Sequence, residues 1–567
     1  MTFVILQPCC NDASCADVCP VDCIHPTPDE PEFMRAEMLH IDPDTCIDCG
    51  ACVDECPVDA IRADHEIDAE QDVYLEINAD YFRAHPIRST EYTSPTPTWK
   101  NTDFTGRRIA VVGSGPAAFY AAIELATVRG IEIDIYDRLL TPYGLVRAGV
   151  APDHPETKAV TELFRAVART KSVHVHLGIE IGTDVTHEEL MAHHDAAVYA
   201  TGASGERTLD IPGEELPGSH AATEFVAWYN GHPDFADRTF DFSSRRAVVI
   251  GNGNVALDLA RILTADPEEL AHTDIADHAL DALRHSNIRE VLVLGRRGPA
   301  QAKFTNPELI ALSNSTAVDL VAHPLDVDTA AAMDAEVESS NADLSVKLAL
   351  VRRLTDRYTV STEPDRESTR KIVLRFCTSP VAIEGTTSVS GIQLVRNVLR
   401  ISEDGSLCAE ATGDTETVDT SLVLRSVGYR GRAIAGVPFD ATRGVVPNDD
   451  GRVIDASERV VPGVYVAGWI KRGPTGVIGT NRKCARETVH HLLEDIASGS
   501  IRHTPTGREE LDAMLFRKAP DALDFTDWLA IDAAEIAAGT TSSRPRIKFV
   551  DQDAMRSVAL RHRSERY

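Results

Sequence analysis

Cys46 to Pro57 read CIDCGACVDECP, a C-x2-C-x2-C-x3-C-P spacing. Three thiols on one tight loop can each bind one iron of a cubane, while a fourth, before proline, reaches a neighbouring cluster. The same ruler laid upstream falls on Cys9, Asp12, Cys15 and Cys19 before Pro20, with an aspartate where the second cysteine would stand. If each loop lends its last cysteine to the other cluster, Cys46, Cys49, Cys52 and Cys19 make one complete ligand set for a [4Fe–4S] cluster. Cys9, Cys15 and Cys56 remain for the second, with Asp12 as a candidate oxygen ligand. A carboxylate is a harder and weaker ligand for iron than a thiolate, so this second cluster is expected as [3Fe–4S] or a labile [4Fe–4S] form. Cys10 and Cys23 lie off the ruler, and Cys10 is an alternative ligand to Cys9.

Nine of the twelve cysteines lie in the first 56 residues. A structural zinc site would show four ligands in two pairs, not two runs that each end in Cys-Pro. A disulfide framework needs an oxidising compartment. Met1 to Gln7 carry no basic segment and only a short apolar run, so no secretory leader is read and the cytoplasm is the expected location. The 567 residues, 43% hydrophobic and 25% charged, describe a globular chain of several domains. No apolar run approaches the roughly 18 residues that span a bilayer, so no membrane is expected. A net charge of −32 argues against nucleic acid. Residues 1–61 hold thirteen acids against one base, Arg35, which suits a basic docking surface on a redox partner.

Downstream, 62–87 are polar and acidic, and 88–102 alternate Ser, Thr and Pro, so 63–104 reads as a linker. The texture then changes. Arg107 to Val112 is a buried strand, Gly113-Ser-Gly115-Pro-Ala-Ala118 a turn, Phe119 to Val128 a helix, and Ile131 to Tyr136 a second strand closing on Asp137. This is the β-turn-α-β pattern that cradles a dinucleotide pyrophosphate at a helix N-terminus. A second copy starts at Arg246, with the turn Gly251-Asn252-Gly253-Asn254-Val255-Ala256 and a late strand, Glu290 to Leu294. The expected fold class is therefore α/β: two Rossmann-like dinucleotide-binding domains preceded by a small α+β ferredoxin-like iron–sulfur domain.

The flanks of the two turns differ in charge. Asp137 can accept from a ribose 2′-hydroxyl and would repel a 2′-phosphate, which suits FAD or NAD. After the second copy come Arg296 and Arg297, whose guanidinium forks suit a phosphate, so that site prefers NADPH. No Cys-x-x-Cys follows residue 56, which leaves no dithiol to take flavin electrons in the manner of a disulfide reductase. The histidine pairs at 174/176, 193/194 and 490/491 read as surface residues, and the tail from 500 as a partly helical surface element.

The stretches GSGPAAFYAA, LLTPYGLVRAGVAPDHPETK, LDIPGEELPG, GNGNVALDLARIL, GRRGPAQ and VAGWIKRGPTGVIGTN resemble adrenodoxin reductase and its bacterial ferredoxin–NADP reductase relatives, over residues 105 to about 550. The first 61 residues resemble seven-iron-type bacterial ferredoxins, and the whole looks like the fused ferredoxin–NADP reductases of actinobacteria. The resemblance implies an iron–sulfur domain over 1–62, an FAD domain split between 105–204 and 428–567, and an NADP domain inserted over 205–427. It places Gly113, Gly115, Ala117, Asp137, Leu145, Ile181, Trp469, Gly476, Val477 and Ile478 at FAD. It places Asn252, Gly253, Asn254, Val255, Arg296, Arg297, Glu308 and Gly476 at NADP. His154 is a candidate for proton handling near the flavin. The implied reaction is hydride exchange between NADPH and FAD, then single-electron transfer with iron–sulfur clusters and an external ferredoxin or other acceptor protein. An electron-input module of a larger enzyme, or an electron-storage protein, are the alternatives.

Overall fold

The computed structural model describes residues 2–87, 97–324, 342–361, 370–401, 407–503 and 507–566. Arg108–Val112 lacks polar alternation and is buried throughout, as a strand covered on both faces must be. It sits inside a seven-stranded sheet with the order 448–449, 452–454, 460–466, 196–199, 108–112, 132–137, 173–177. The five strands from Val460–Val466 to Val173–Leu177 are parallel. One of them, Val460–Val466, arrives from far down the chain, so this lobe is assembled from two separate segments.

The second lobe has a six-stranded sheet in the order 219–221, 422–425, 246–250, 290–294, 371–375, 319–322, every pair parallel. A three-stranded antiparallel sheet, Thr378–Gly385, Val389–Ile401 and Leu407–Asp419, is appended to it. The two chain crossings between lobes pair with each other: Gly205–Glu206 runs antiparallel to Tyr429–Arg430.

The cysteine-rich segment folds around two short antiparallel pairs, Phe3–Ile5 with Ile61–Ala63 and Ile24–His25 with His40–Ile41. Helices Ser14–Asp17 and Ala51–Glu55 carry one cysteine each, Cys15 and Cys52. The expected linker differs from the structure here. Residues 88–96 lie outside the described residues, but Val73–Ala84 is a helix that buries Tyr74, Ile77, Asn78 and Phe82. Asn78 accepts from the Ile5 and Ile41 amides and donates to the Ile5 carbonyl, which sews this helix to both strand pairs. Its buried residues keep helical spacing, which the reading of 62–87 as one polar, acidic stretch passes over.

The tail is also no mere surface element. Helix Phe525–Thr540 buries Trp528 and Ile531 in the core of the first lobe, joined by Met555 and Ala559 of Gln552–Arg566. Its buried acids are paired, Glu535 with Arg147 at 2.6 Å and Asp532 with Arg165 at 2.8 Å. His194, expected at the surface, is buried and lies 3.5 Å from Asp134, a fully buried acid that Arg508 and His176 also hold.

Candidate functional site: two dinucleotide cradles beside two cysteine cavities

Around the first glycine turn, several distant segments converge. Gly113 has φ +106°, and a Cβ there would meet the Ala200 carbonyl oxygen at 2.6 Å. A Cβ on Gly115, by contrast, would meet nothing within 4 Å. This open space lies at the start of helix Pro116–Ala126, which no side chain caps, so the site fits a pyrophosphate. Gly144 packs on the Gly115 Cα, which brings Leu145 to the turn, 40% exposed. Gly468 packs on Ala117, which brings Trp469 alongside; the Trp469 Nε1–H donates to the Thr475 carbonyl and positions the Gly476–Ile478 loop. Ile181 is buried in the neighbouring apolar cluster. Asp137 buttresses the turn: one carboxylate oxygen accepts from the Ser114 amide and hydroxyl at 2.9 and 2.6 Å, the other from the Leu139 amide at 2.9 Å. Burial pushes its carboxyl above the usual range against these bonds, and the oxygen that accepts only from Leu139 keeps a second lone pair for a ribose hydroxyl.

The second cradle repeats the design. Gly251 has φ +125° and would clash with the Ser426 carbonyl if it carried a Cβ. Gly253 opens helix Asn254–Thr264, again with no side-chain cap. Asn252 accepts from the amides of Lys303 and Phe304 through its carbonyl, at 3.0 Å each. Asn254 grips Thr305, its Oδ1 accepting from the Thr305 amide at 2.8 Å. Val255 packs against the lobe's core. Arg296 is exposed and Arg297 half-buried, and neither guanidinium has an ion-pair partner among the described residues. Their carbonyls are fixed instead, Arg296 by Asn397 and Arg297 by the Cys377 amide. Two free forks at the end of the second strand suit a phosphate.

Between the cradles, His154, Asp258 and Glu308 bring ligand atoms within 4.8 Å of one another. Burial, then the charge of Asp258, pushes the Glu308 carboxyl up; His154, Arg261 and a hydrogen bond from Gln7 oppose it. Arg261 holds Asp258 at 2.5 Å and also pairs with Asp153, next to His154, so it ties the two lobes at this point. Sequence reasoning named His154 and Glu308 but not Asp258, whose only signal is its place one helical turn past the glycine motif.

The cysteines gather as two cavities. One is lined by Cys19, Cys46, Cys49 and Cys52, with Cys23 as a fifth thiol 3.4 Å from Cys19. The other is lined by Cys9, Cys15, Cys56 and Asp12, with Cys10 beside them. Burial pushes the Cys9 thiol up to about 12 and that of Cys52 to about 11. Thiolates at such sites form readily only against a cation, which fits a metal centre. Asp12 is otherwise engaged: its oxygens accept from the Ser14 amide at 3.0 Å and the Ser14 hydroxyl at 2.9 Å, and Arg482 lies 3.6 Å away.

The second cavity faces the first cradle. The Gly479 amide, just past the Gly476–Ile478 loop, donates to the Cys10 carbonyl at 2.7 Å. Arg482 donates to the Asp12 carbonyl at 2.8 Å and pairs with Asp17 at 3.1 Å. Cys10, Val58 and Ala60 belong to the same buried cluster as the first lobe's core. Such an arrangement defines a class: flavoprotein oxidoreductases that work between a pyridine nucleotide and an iron–sulfur centre.

Comparison narrows the class. Residues 107–292 match the family model described as pyridine nucleotide-disulphide oxidoreductase, and 39–62 the 4Fe-4S binding domain. The chain is 46% identical over 570 residues to a probable ferredoxin/ferredoxin–NADP reductase of Mycobacterium tuberculosis, covering 99% of this chain and 95% of that one. A protein of the same description from Mycobacterium leprae is 46% identical over 567 residues, 99% and 98% covered. The structure of Mycobacterium tuberculosis FprA in complex with NADPH superposes with a TM-score of 0.75 at 42% identity, over 80% of this chain and 99% of FprA. The chain belongs to the ferredoxin/ferredoxin–NADP reductase family.

Proposed function

We propose that the chain exchanges electrons between NADPH and one-electron acceptors as a ferredoxin–NADP(+) oxidoreductase, with its own iron–sulfur domain first in line and an external ferredoxin or similar protein last. The observation that supports this most is the 2.7 Å hydrogen bond from Gly479 to Cys10, which joins the loop expected at the flavin to the loop that carries Cys9. Bound FAD supplies the change between two-electron and one-electron chemistry. The chain's residues do the remainder. Arg296 and Arg297 take the 2′-phosphate, and Asp137 keeps such a phosphate out of the first cradle. An imidazole nitrogen of His154 and the carboxylate oxygens of Asp258 and Glu308 are close enough to share a proton through one water. Packing of Cys10, Val58 and Ala60 on the first lobe keeps bulk water from the junction.

Cys19, Cys46, Cys49 and Cys52 hold a four-iron cluster in this reading, and Cys9, Cys15 and Cys56 a three-iron one, since Asp12 is occupied by Ser14 and Arg482. The outer cavity carries the contact with external partners. Cys49 is exposed there, beside Ile47 at 58% exposure and the exposed acids Asp44 and Asp48, a face suited to a basic protein surface. An anaerobic titration with NADPH, followed by absorbance and electron paramagnetic resonance, tests the reading. Flavin bleaching should be followed by reduction signals from the clusters. Bleached flavin with clusters that stay oxidised, at potentials where dithionite reduces them, would refute it.

A further inference from the structure

We propose that Glu37 of the iron–sulfur domain is a positioning residue for the nicotinamide pocket: it caps, across the domain boundary, the helix that carries Glu308. The proposal rests on reading the cleft of Glu308 as the nicotinamide end of the NADP site. Helix Asn306–Asn314 begins without a cap of its own, since the Thr305 side chain accepts from no helix amide. An uncapped start leaves up to four amides unsatisfied, and Pro307 removes one of them. The Asn306 amide is satisfied from outside the lobe, by Glu37 Oε2 at 2.6 Å. A carboxylate there also meets the positive end of the helix dipole.

The site is built around this contact. Lys347, 10% exposed, stands 3.4 Å from the other Glu37 oxygen and over the ring of Phe304. It also reaches the Ala302 carbonyl, in the loop that leads into the helix. The rest of the helix is covered by the same domain. Gln7 donates to Glu308, Ile310 sits in one apolar cluster with Phe33, Tyr74 and Ile77, and Asn314 donates to the Glu70 carbonyl at 3.3 Å. On its other side Asn254 of the glycine turn grips Thr305. The helix is thus held between the NADP cradle and the iron–sulfur domain, and docking of that domain sets where Glu308 stands.

The test uses the full-length holoenzyme with Glu37→Ala and Glu37→Gln. In Glu37→Ala, amide exchange at 306–309 should quicken, and NADP+ affinity should fall by roughly three- to thirtyfold, the range that follows from loss of a helix cap. KM for NADPH should rise, with the maximal rate to ferricyanide changed by less than about twofold, because no group of the flavin cradle is altered. Glu37→Gln keeps an acceptor oxygen and should lie near wild type. Should the Ala variant lose its clusters, Asn306→Pro removes the donor from the other side, at a helix position where proline is favoured. Asn306→Pro alone should then weaken NADP+ binding to the extent expected of Glu37→Ala, whereas unchanged binding would overturn the proposal. Unchanged exchange at 306–309 in Glu37→Ala also overturns it. Faster exchange with unchanged NADP+ affinity, while Arg296→Ala still weakens that affinity, refutes the coupling but not the NADP site.

Discussion

The Gly479 amide and the Cys10 carbonyl are 2.7 Å apart, and a Cβ on Gly479 would stand 2.2 Å from the main chain of Asn11 and Asp12. With φ −71°, Gly479 has a conformation open to any residue. The neighbour, not the backbone angle, requires glycine here. Two loops from opposite ends of the chain meet main chain to main chain, with no side chain between them.

Gly479→Ala should therefore act on docking alone. Overpacking of this kind costs about 1–3 kcal/mol, roughly five- to hundredfold in the docking equilibrium. FAD content and NADPH-dependent ferricyanide reduction should persist, while cluster reduction in stopped-flow slows. Cluster reduction at the wild-type rate would show that this contact is not on the electron route.

Coenzyme choice should follow Arg296 and Arg297. Charge-assisted bonds to a phosphate contribute roughly 1.5–3 kcal/mol. Replacing both by alanine should cut kcat/KM for NADPH by tens-fold and leave NADH nearly untouched. Steady-state kinetics with both coenzymes decide this, and full NADPH selectivity in the double variant would move the 2′-phosphate elsewhere.

Asp12→Cys should add an iron. Oxidised wild type should show about seven irons and a three-iron paramagnetic signal, and the variant about eight irons without that signal. The idea is falsified if wild type holds eight stable irons and Asp12→Ala leaves the count unchanged, which would assign the fourth thiolate to Cys10.

Acid should weaken the iron–sulfur domain through His40. Burial lowers its pKa to about 3 from an ordinary 6.5, and its ring stacks on Tyr81 at 4.3 Å. Between these values the unfolded chain binds the proton and the folded one does not. Stability is thus full above pH 6.5 and falls with acidification, by up to about 1.4 kcal/mol per pH unit, down to about pH 3. His40→Phe keeps the stacking and should flatten that slope in chemical denaturation followed at the cluster absorbance. An unchanged slope would shift the cause to another group.

Much of this architecture was legible because its signals are local. A glycine turn between strand and helix, or a cysteine ruler, needs only a dozen residues to be read. The converging positions Gly115, Leu145 and Trp469 became visible through family resemblance, since nothing in their spacing predicts that Gly144 and Gly468 pack on one turn. The helix Val73–Ala84 is hidden by the acidic composition of 62–87 around it, although its buried face keeps helical spacing, and Asn78, a polar residue, makes its main attachment. Glu37, Gln7 and Arg482 carry no local signal at all. Each is one charged or polar residue among many, and its role exists only once distant segments meet. The pairing of Gly205–Glu206 with Tyr429–Arg430 is likewise a relation between positions over two hundred residues apart.

The burial of Cys10, Val58 and Ala60 in the reductase core bears on reaction order. On the proposed route, passage from the flavin lobe to the cavity of Cys9, Cys15 and Cys56 is unimolecular, so its rate constant is indifferent to dilution and only weakly responsive to ionic strength. In the proposed function the exposed edge at Ile47 and Cys49 is where a second molecule is met, and there both sensitivities return. A plot of turnover against carrier concentration should accordingly flatten to a plateau that salt does not move, while salt changes its initial slope.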